Sequence, residues 1–136
     1  MMHEFVDTIP DILAGGVLYV SIKYCTAVHR CACGCGNEVV TPLSPADWKL
    51  TFDGETVSLN PSIGNWSLDC QSHYWIANNE IKWSYRFSQQ EIRRNRLCDE
   101  NLRRRHHERS LSVDAEAAGN DAPKRKKIMS WLARWL

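Results

Sequence analysis

Trp48-Lys49-Leu50-Thr51-Phe52-Asp53-Gly54-Glu55-Thr56-Val57-Ser58-Leu59 is the stretch whose reading decides the fold. Apolar and polar residues alternate on both sides of Asp53-Gly54, and an Asp-Gly pair between alternating runs is the strongest short-range signal for a β-hairpin. Working outward, His73–Ala77 and Ile81–Tyr85 flank Asn78-Asn79, a turn pair that tolerates positive φ, and predict a second hairpin. Upstream, Val17-Leu18-Tyr19-Val20-Ser21-Ile22-Lys23-Tyr24 is rich in β-branched and aromatic residues, and Glu38-Val39-Val40-Thr41 adds a short strand. Phe5, Ile9, Ile12 and Leu13 are spaced for a short amphipathic turn or helix, and Asn60–Trp66 has the composition of a loop. The expectation is a mainly β (α+β) fold: a small antiparallel domain of about six short strands.

Beyond Ser88 the pattern changes. Ser88-Gln89-Gln90-Glu91 has the form of a helix start, and residues 89–111 are helical in propensity, polar and Arg-rich. Residues 112–123 read as a flexible linker. In 124–136, Ile128, Trp131, Leu132, Trp135 and Leu136 fall on one helical face behind the basic run Lys124–Lys127. Four segments result: a β domain (1–88), which carries the cysteine clusters, an Arg-rich helical segment (89–111), a linker (112–123) and a basic amphipathic helix (124–136).

Charge follows the same division. Residues 1–90 carry five Lys+Arg against nine Asp+Glu, net −4, and residues 91–136 carry twelve against seven, net +5. An acidic folded part argues against a nucleic-acid binder, and Glu91, Asp99, Glu100 and Glu108 interleave with the arginines as in a solvated helix. The 124–136 helix suits an anionic membrane surface or a groove on a protein partner, with folding back onto the core as the alternative. The N-terminus lacks the basic head and apolar run of a signal peptide, and nothing approaches the ~20 apolar residues of a membrane span. The expectation is a cytoplasmic protein, with peripheral membrane attachment left open.

The six cysteines carry the chemistry. His29-Arg30-Cys31-Ala32-Cys33-Gly34-Cys35-Gly36 concentrates three thiols beside two glycines, and Cys70-Gln71-Ser72-His73 supplies two more donors. In a reducing compartment such clusters favour metal over disulfides. The candidate ligands are Cys31, Cys33, Cys35, Cys70 and His73, with Cys25 and His29 in reserve. Five exceed the four a tetrahedral ion takes, so which four ligate stays open, as does the alternative of buried inert thiols. Cys98 reads as an incidental thiol. Zn2+ is favoured. An iron–sulfur cluster is the alternative, because Cys70-x-x-His73 is similar to one arm of a Rieske centre, although His29-x-Cys31 reverses the other arm's order. No catalytic constellation is visible: Glu38 reads as a solvated glutamate, Ser62 and Asn65 as turn formers.

Gly16-Val17-Leu18-Tyr19-Val20-Ser21, Cys31-x-Cys33-Gly34-Cys35-Gly36, Trp48…Leu50, Leu59-x-Pro61-Ser62-Ile63-Gly64-Asn65, Cys70-x-Ser72-His73-Tyr74-x-Ile76 and Trp83 together carry a resemblance. Over roughly residues 5–87 the chain resembles a small bacterial family of cysteine-rich, metal-binding domains. Some of its members are encoded beside ubiquitin-like conjugation components linked to phage defence. The resemblance implies a zinc-stabilised adaptor with protein partners in such a system, and it implies no reaction. The sequence reading therefore leans towards a non-catalytic interaction module. Two alternatives stand beside it, a metal- or thiol-dependent enzyme and a Rieske-like electron carrier.

Overall fold

The computed structural model of the chain describes residues 1–120. Two four-stranded sheets make up the β domain. The first has the order β1 (Met2–Phe5), β2 (Val17–Ser21), β3 (Thr26–Arg30) and β4 (Glu38–Pro42). The second runs β5 (Lys49–Phe52), β6 (Val57–Gly64), β7 (His73–Ala77) and β8 (Glu80–Trp83). Every pairing is antiparallel except β1 against β2.

Local chemistry accounts for the turns. At Asp53-Gly54 the Asp53 carboxylate accepts from the amides of Glu55 (2.9 Å) and Thr56 (2.6 Å) and from the Thr56 hydroxyl (2.7 Å), while Gly54 takes φ +100°. Asn78 and Asn79 take φ +50° and +61°, the left-handed pair that a tight hairpin between β7 and β8 demands. Both hairpins stand where the alternation placed them.

The structure has eight strands rather than about six. Residues 5–13 form no helix; the chain instead opens with β1, laid parallel to β2 so that Met2 faces Val17 and Phe5 faces Val20. The apolar spacing there serves packing without helical hydrogen bonds, for Val6, Ile9 and Leu13 join Val17, Tyr19 and Val28 in a small satellite cluster. Nor are residues 60–64 loop. Strand β6 continues through Pro61 to Gly64, with a register shift against β7 between Leu59 and Ile63. Turn-type residues are tolerated in a strand where the ladder is interrupted.

The main core joins both sheets. Leu18, Val20, Ala27 and Val39 from the first pack with Val57, Leu59, Ile63, Tyr74 and Ile76 from the second, and Cys31 lies among them. Helix α1 (Gln89–Asn120) opens with a reciprocal cap: the Glu91 carboxylate accepts from Ser88 N–H (2.8 Å) and Ser88 Oγ accepts from Glu91 N–H (3.3 Å). Ile92 is buried, and Arg103 Nε donates to Asp47 Oδ1 at 2.7 Å. The chain forms a compact unit from Met1 to His106, and a second unit begins at His107. Helix α1 continues through residues 112–120, where a linker was expected, whereas residues 121–123 and the amphipathic segment 124–136 lie outside the described residues. No helix among the described residues is long and apolar enough to cross a membrane.

Candidate active site and metal centre

Strand alternation sorts the donors of the second cysteine cluster. Tyr74 pairs with Ile63 and His73 with Gly64 across β6 and β7. Successive side chains in a strand point to opposite faces, so Ser72 and Tyr74 turn one way and His73 the other. Ser72 and Tyr74 go to the cysteines. Ser72 Oγ lies 3.1 Å from Cys31 Sγ and accepts from Asn65 Nδ2 at 2.8 Å. The Tyr74 hydroxyl meets His29 Nε2 at 2.8 Å and the Ala32 amide at 3.4 Å.

Four of the five candidate ligands converge. The Sγ atoms of Cys31, Cys33, Cys35 and Cys70 all lie within 4.8 Å of one another. Cys31 is 3.4 Å from Cys33 and 3.9 Å from Cys70, and Cys35 is 3.9 Å from Cys70. An ion held tetrahedrally at metal–sulfur distances of about 2.3 Å sets sulfur–sulfur edges of about 3.8 Å, so these four thiols can hold a metal ion. Gly34 and Gly36, at φ +86° and +83°, let the 31–36 loop fold back so that its three thiols meet, a conformation that L side chains resist. Amide donors surround the sulfurs: Asn37 Nδ2 reaches Cys35 Sγ at 3.2 Å, and Asn65 Nδ2 lies 3.6 Å from Cys31 Sγ. The backbone and side-chain amides of Asn37 hold the Cys35 thiol down at about 6, favouring the thiolate that a metal takes. Cys25 and Cys98 lie apart from this centre and are exposed.

His73 stands outside the four-thiol cluster, with both ring nitrogens engaged elsewhere. Its Nε2 lies 2.9 Å from Ser62 Oγ and its Nδ1 3.1 Å from the Tyr85 carbonyl oxygen. A carbonyl can only accept, so Nδ1 carries the proton and donates to Tyr85. That leaves the Nε2 lone pair facing Ser62, whose hydroxyl donates to it. The pair arises from register: Gly64 is directly opposite His73, and Ser62, two residues back along β6, is the diagonal neighbour on the same face.

Aromatic rings enclose the imidazole. Trp66, Phe87 and Trp75 have ring centroids 5.0, 4.5 and 5.6 Å from His73, and Trp66 stacks on Phe87 at 4.8 Å with planes 16° apart. The Trp66 indole lies over Gly64, where any Cβ would collide with it. His73 is 6% exposed, and Ser62 opens onto a cavity of about 110 Å³.

His29 plays no part in the cluster of thiols. It is fully buried, holds the Tyr74 hydroxyl, and burial lowers it to about 4, so it stays neutral. Asn65 links that layer through the backbone as well, its amide donating to the Ser72 carbonyl at 2.9 Å. Ser62 is the residue the sequence reading passed over. The available signal was strand periodicity through His73, which sets it opposite to Ser72 and Tyr74 and so away from Cys70's partners.

What the fold and site define is a small β domain with four thiols able to hold a metal ion on one face of β7 and a serine hydrogen-bonded to a buried histidine on the other. The model of a family described as bacterial ubiquitination-like system serine protease (BubE) matches residues 5–84, and the chain belongs to that family. The matched span contains Ser62, His73 and all four clustered cysteines. No curated protein and no solved structure matches the chain.

Proposed function

We propose that the chain is a zinc-stapled serine hydrolase that cleaves peptide or isopeptide bonds in a bacterial ubiquitination-like system. The observation that carries this reading is the 2.9 Å contact between Ser62 Oγ and His73 Nε2, with Nδ1–H already committed to the Tyr85 carbonyl. Ser62 Oγ attacks the scissile carbonyl carbon while Nε2 takes its proton. The tetrahedral adduct then collapses, the C–N bond breaks, and the imidazolium gives the same proton to the leaving amine. Water, deprotonated by Nε2, hydrolyses the acyl-serine ester and restores both residues. The Tyr85 carbonyl fixes the tautomer as a carboxylate does in a triad, but as a dipole it stabilises the imidazolium less. The aromatic wall keeps bulk water from the ring.

In this reading Zn2+ on Cys31, Cys33, Cys35 and Cys70 is structural: four thiolates close a tetrahedron and leave no open position. Thiols that must stay reduced to bind metal fit the cytoplasm. A binding-only adaptor is the second reading, and the observation that favours it is that His73 Nδ1 meets the Tyr85 carbonyl rather than a carboxylate among the described residues.

A fluorophosphonate probe separates the two. The zinc-loaded full chain is expected to gain the mass of one phosphonyl group, located on Ser62 by peptide mapping. Labelling of His73→Ala is expected to fall by at least about a thousandfold, as when a nucleophile loses its base. A wild-type chain that resists the probe, or labels equally well without His73, leaves the adaptor reading standing.

A further inference from the structure

Strand β5 pairs with β6 only as far as Lys49↔Asn60, so Pro61–Gly64 has no β5 neighbour. The space beside that open edge is the cavity of about 110 Å³ onto which Ser62 opens. It is far below the ~300–1,000 Å³ of cofactor and drug-sized sites, and admits a single side chain. Trp48 and Trp66 supply its aromatic lining, and Asp47, Asp99 and Arg103 its charges.

Arg103 Nε is committed to Asp47 Oδ1 at 2.7 Å, and Asp47 Oδ2 accepts from the Ser44 hydroxyl at 2.7 Å. The exposed carboxylate of Asp99, one turn before Arg103 on α1, accepts no hydrogen bond among the described residues. Desolvation at the cavity and the neighbouring Asp47 charge raise its carboxyl above the usual aspartate value, which the Arg103 charge offsets in part. With Arg103 held on Asp47, where the His106 charge also acts, the exposed Asp99 carboxylate is offset only in part and lies between indoles that can stack on a guanidinium or cover a lysine stem.

We infer that this cavity is a subsite for a cationic side chain, arginine or lysine, next to the bond that Ser62 attacks. The inference rests on Ser62 as nucleophile for its place beside the scissile bond, and on Asp99 with the two indoles for the charge it selects. The incoming cation donates to the Asp99 carboxylate and lies against Trp48 or Trp66. Arg103, held on Asp47, sets the far limit of the space.

Two measurements test it. Peptides differing only as arginine or citrulline, on either side of the scissile bond, are given to the zinc-loaded full chain, with Ser62→Ala as the blank. One charge-assisted hydrogen bond predicts kcat/KM about tenfold higher for arginine on one side. Asp99→Asn is expected to bring that ratio close to one, and Asp99→Lys to favour glutamate. The second measurement needs no catalysis: Nα-acetyl-arginine amide is titrated into the Ser62→Ala chain while indole N–H signals are followed by NMR. Saturable shifts of Trp48 and Trp66, absent with the citrulline amide and absent in Asp99→Asn, are expected. Equal responses to arginine and citrulline, or a glutamate preference lost in Arg103→Gln, overturn the inference. Failure of the fluorophosphonate experiment with saturable arginine binding would remove the catalytic reading and leave the cation subsite.

Discussion

At the residue scale, single side chains here carry tasks that their composition conceals. Asp53 organises a hairpin: three donors within the turn hold its carboxyl down to about 2, against an ordinary value near 3.8. A depressed folded-state pKa stabilises the fold above the ordinary value, and the contribution fades as pH falls through the folded one. Asp53→Ala is therefore expected to melt below wild type at pH 7, with the gap narrowing as pH drops from about 4 towards 2 in thermal scans. A constant gap across that window would mean that turn shape, and not the ionised carboxylate, matters. His73 makes the same point chemically. Its role follows from which atom each nitrogen meets, and Cys70-x-x-His73 as a string suggested a ligand instead.

The pleat of β7 decides the chemistry at the element scale. One strand serves two sites because Ser72 and Tyr74 face the thiols while His73 faces Ser62. Across from it, β6 needs a residue without a side chain opposite His73, and Gly64 supplies it by making room for the Trp66 indole. Gly64→Ala is expected to displace Trp66 from its stack on Phe87, costing about 1–3 kcal/mol in denaturant unfolding, as for other overpacked sites. It should also lower labelling of Ser62. Adding Trp66→Ala to Gly64→Ala should cost less than the sum of the two single changes, because the collision then has no second partner. Strict additivity would show that Gly64 acts through the backbone instead.

For the whole molecule, the four-cysteine cluster that could hold a metal ion spans the two sheets. Cys31, Cys33 and Cys35 lie between β3 and β4 of the first sheet, whereas Cys70 lies between β6 and β7 of the second. A domain of about a hundred residues has a modest core, so an ion binding only the folded state adds on the order of 4 kcal/mol at ~1,000 times its Kd. Cys70→Ser is expected to lose bound metal by elemental analysis and to melt roughly 15 °C lower. Because His73 is three residues from Cys70, Ser62 labelling should fall as well. Unchanged metal content and melting temperature would show that Cys70 is not a ligand.

The sequence by itself determined the β character, both tight hairpins, the Ser88 cap that opens α1 and a cysteine-rich cluster, of whose five candidate donors it left open which four meet. Those features rest on local rules: side-chain alternation, the φ values that Gly and Asn accept, helix capping, and ligand types clustered within a few residues. It misjudged 5–13 and 60–64, where the identity of the segment depends on which strand lies alongside. Only the tertiary structure decided that β1 pairs parallel to β2, that His73 parts from Cys70, and that Ser62 becomes its partner. The physical reason is that Ser62 and His73 are brought together by cross-strand register and by Gly64 opposite the histidine. Register is a relation between strands, and no window along one strand contains it.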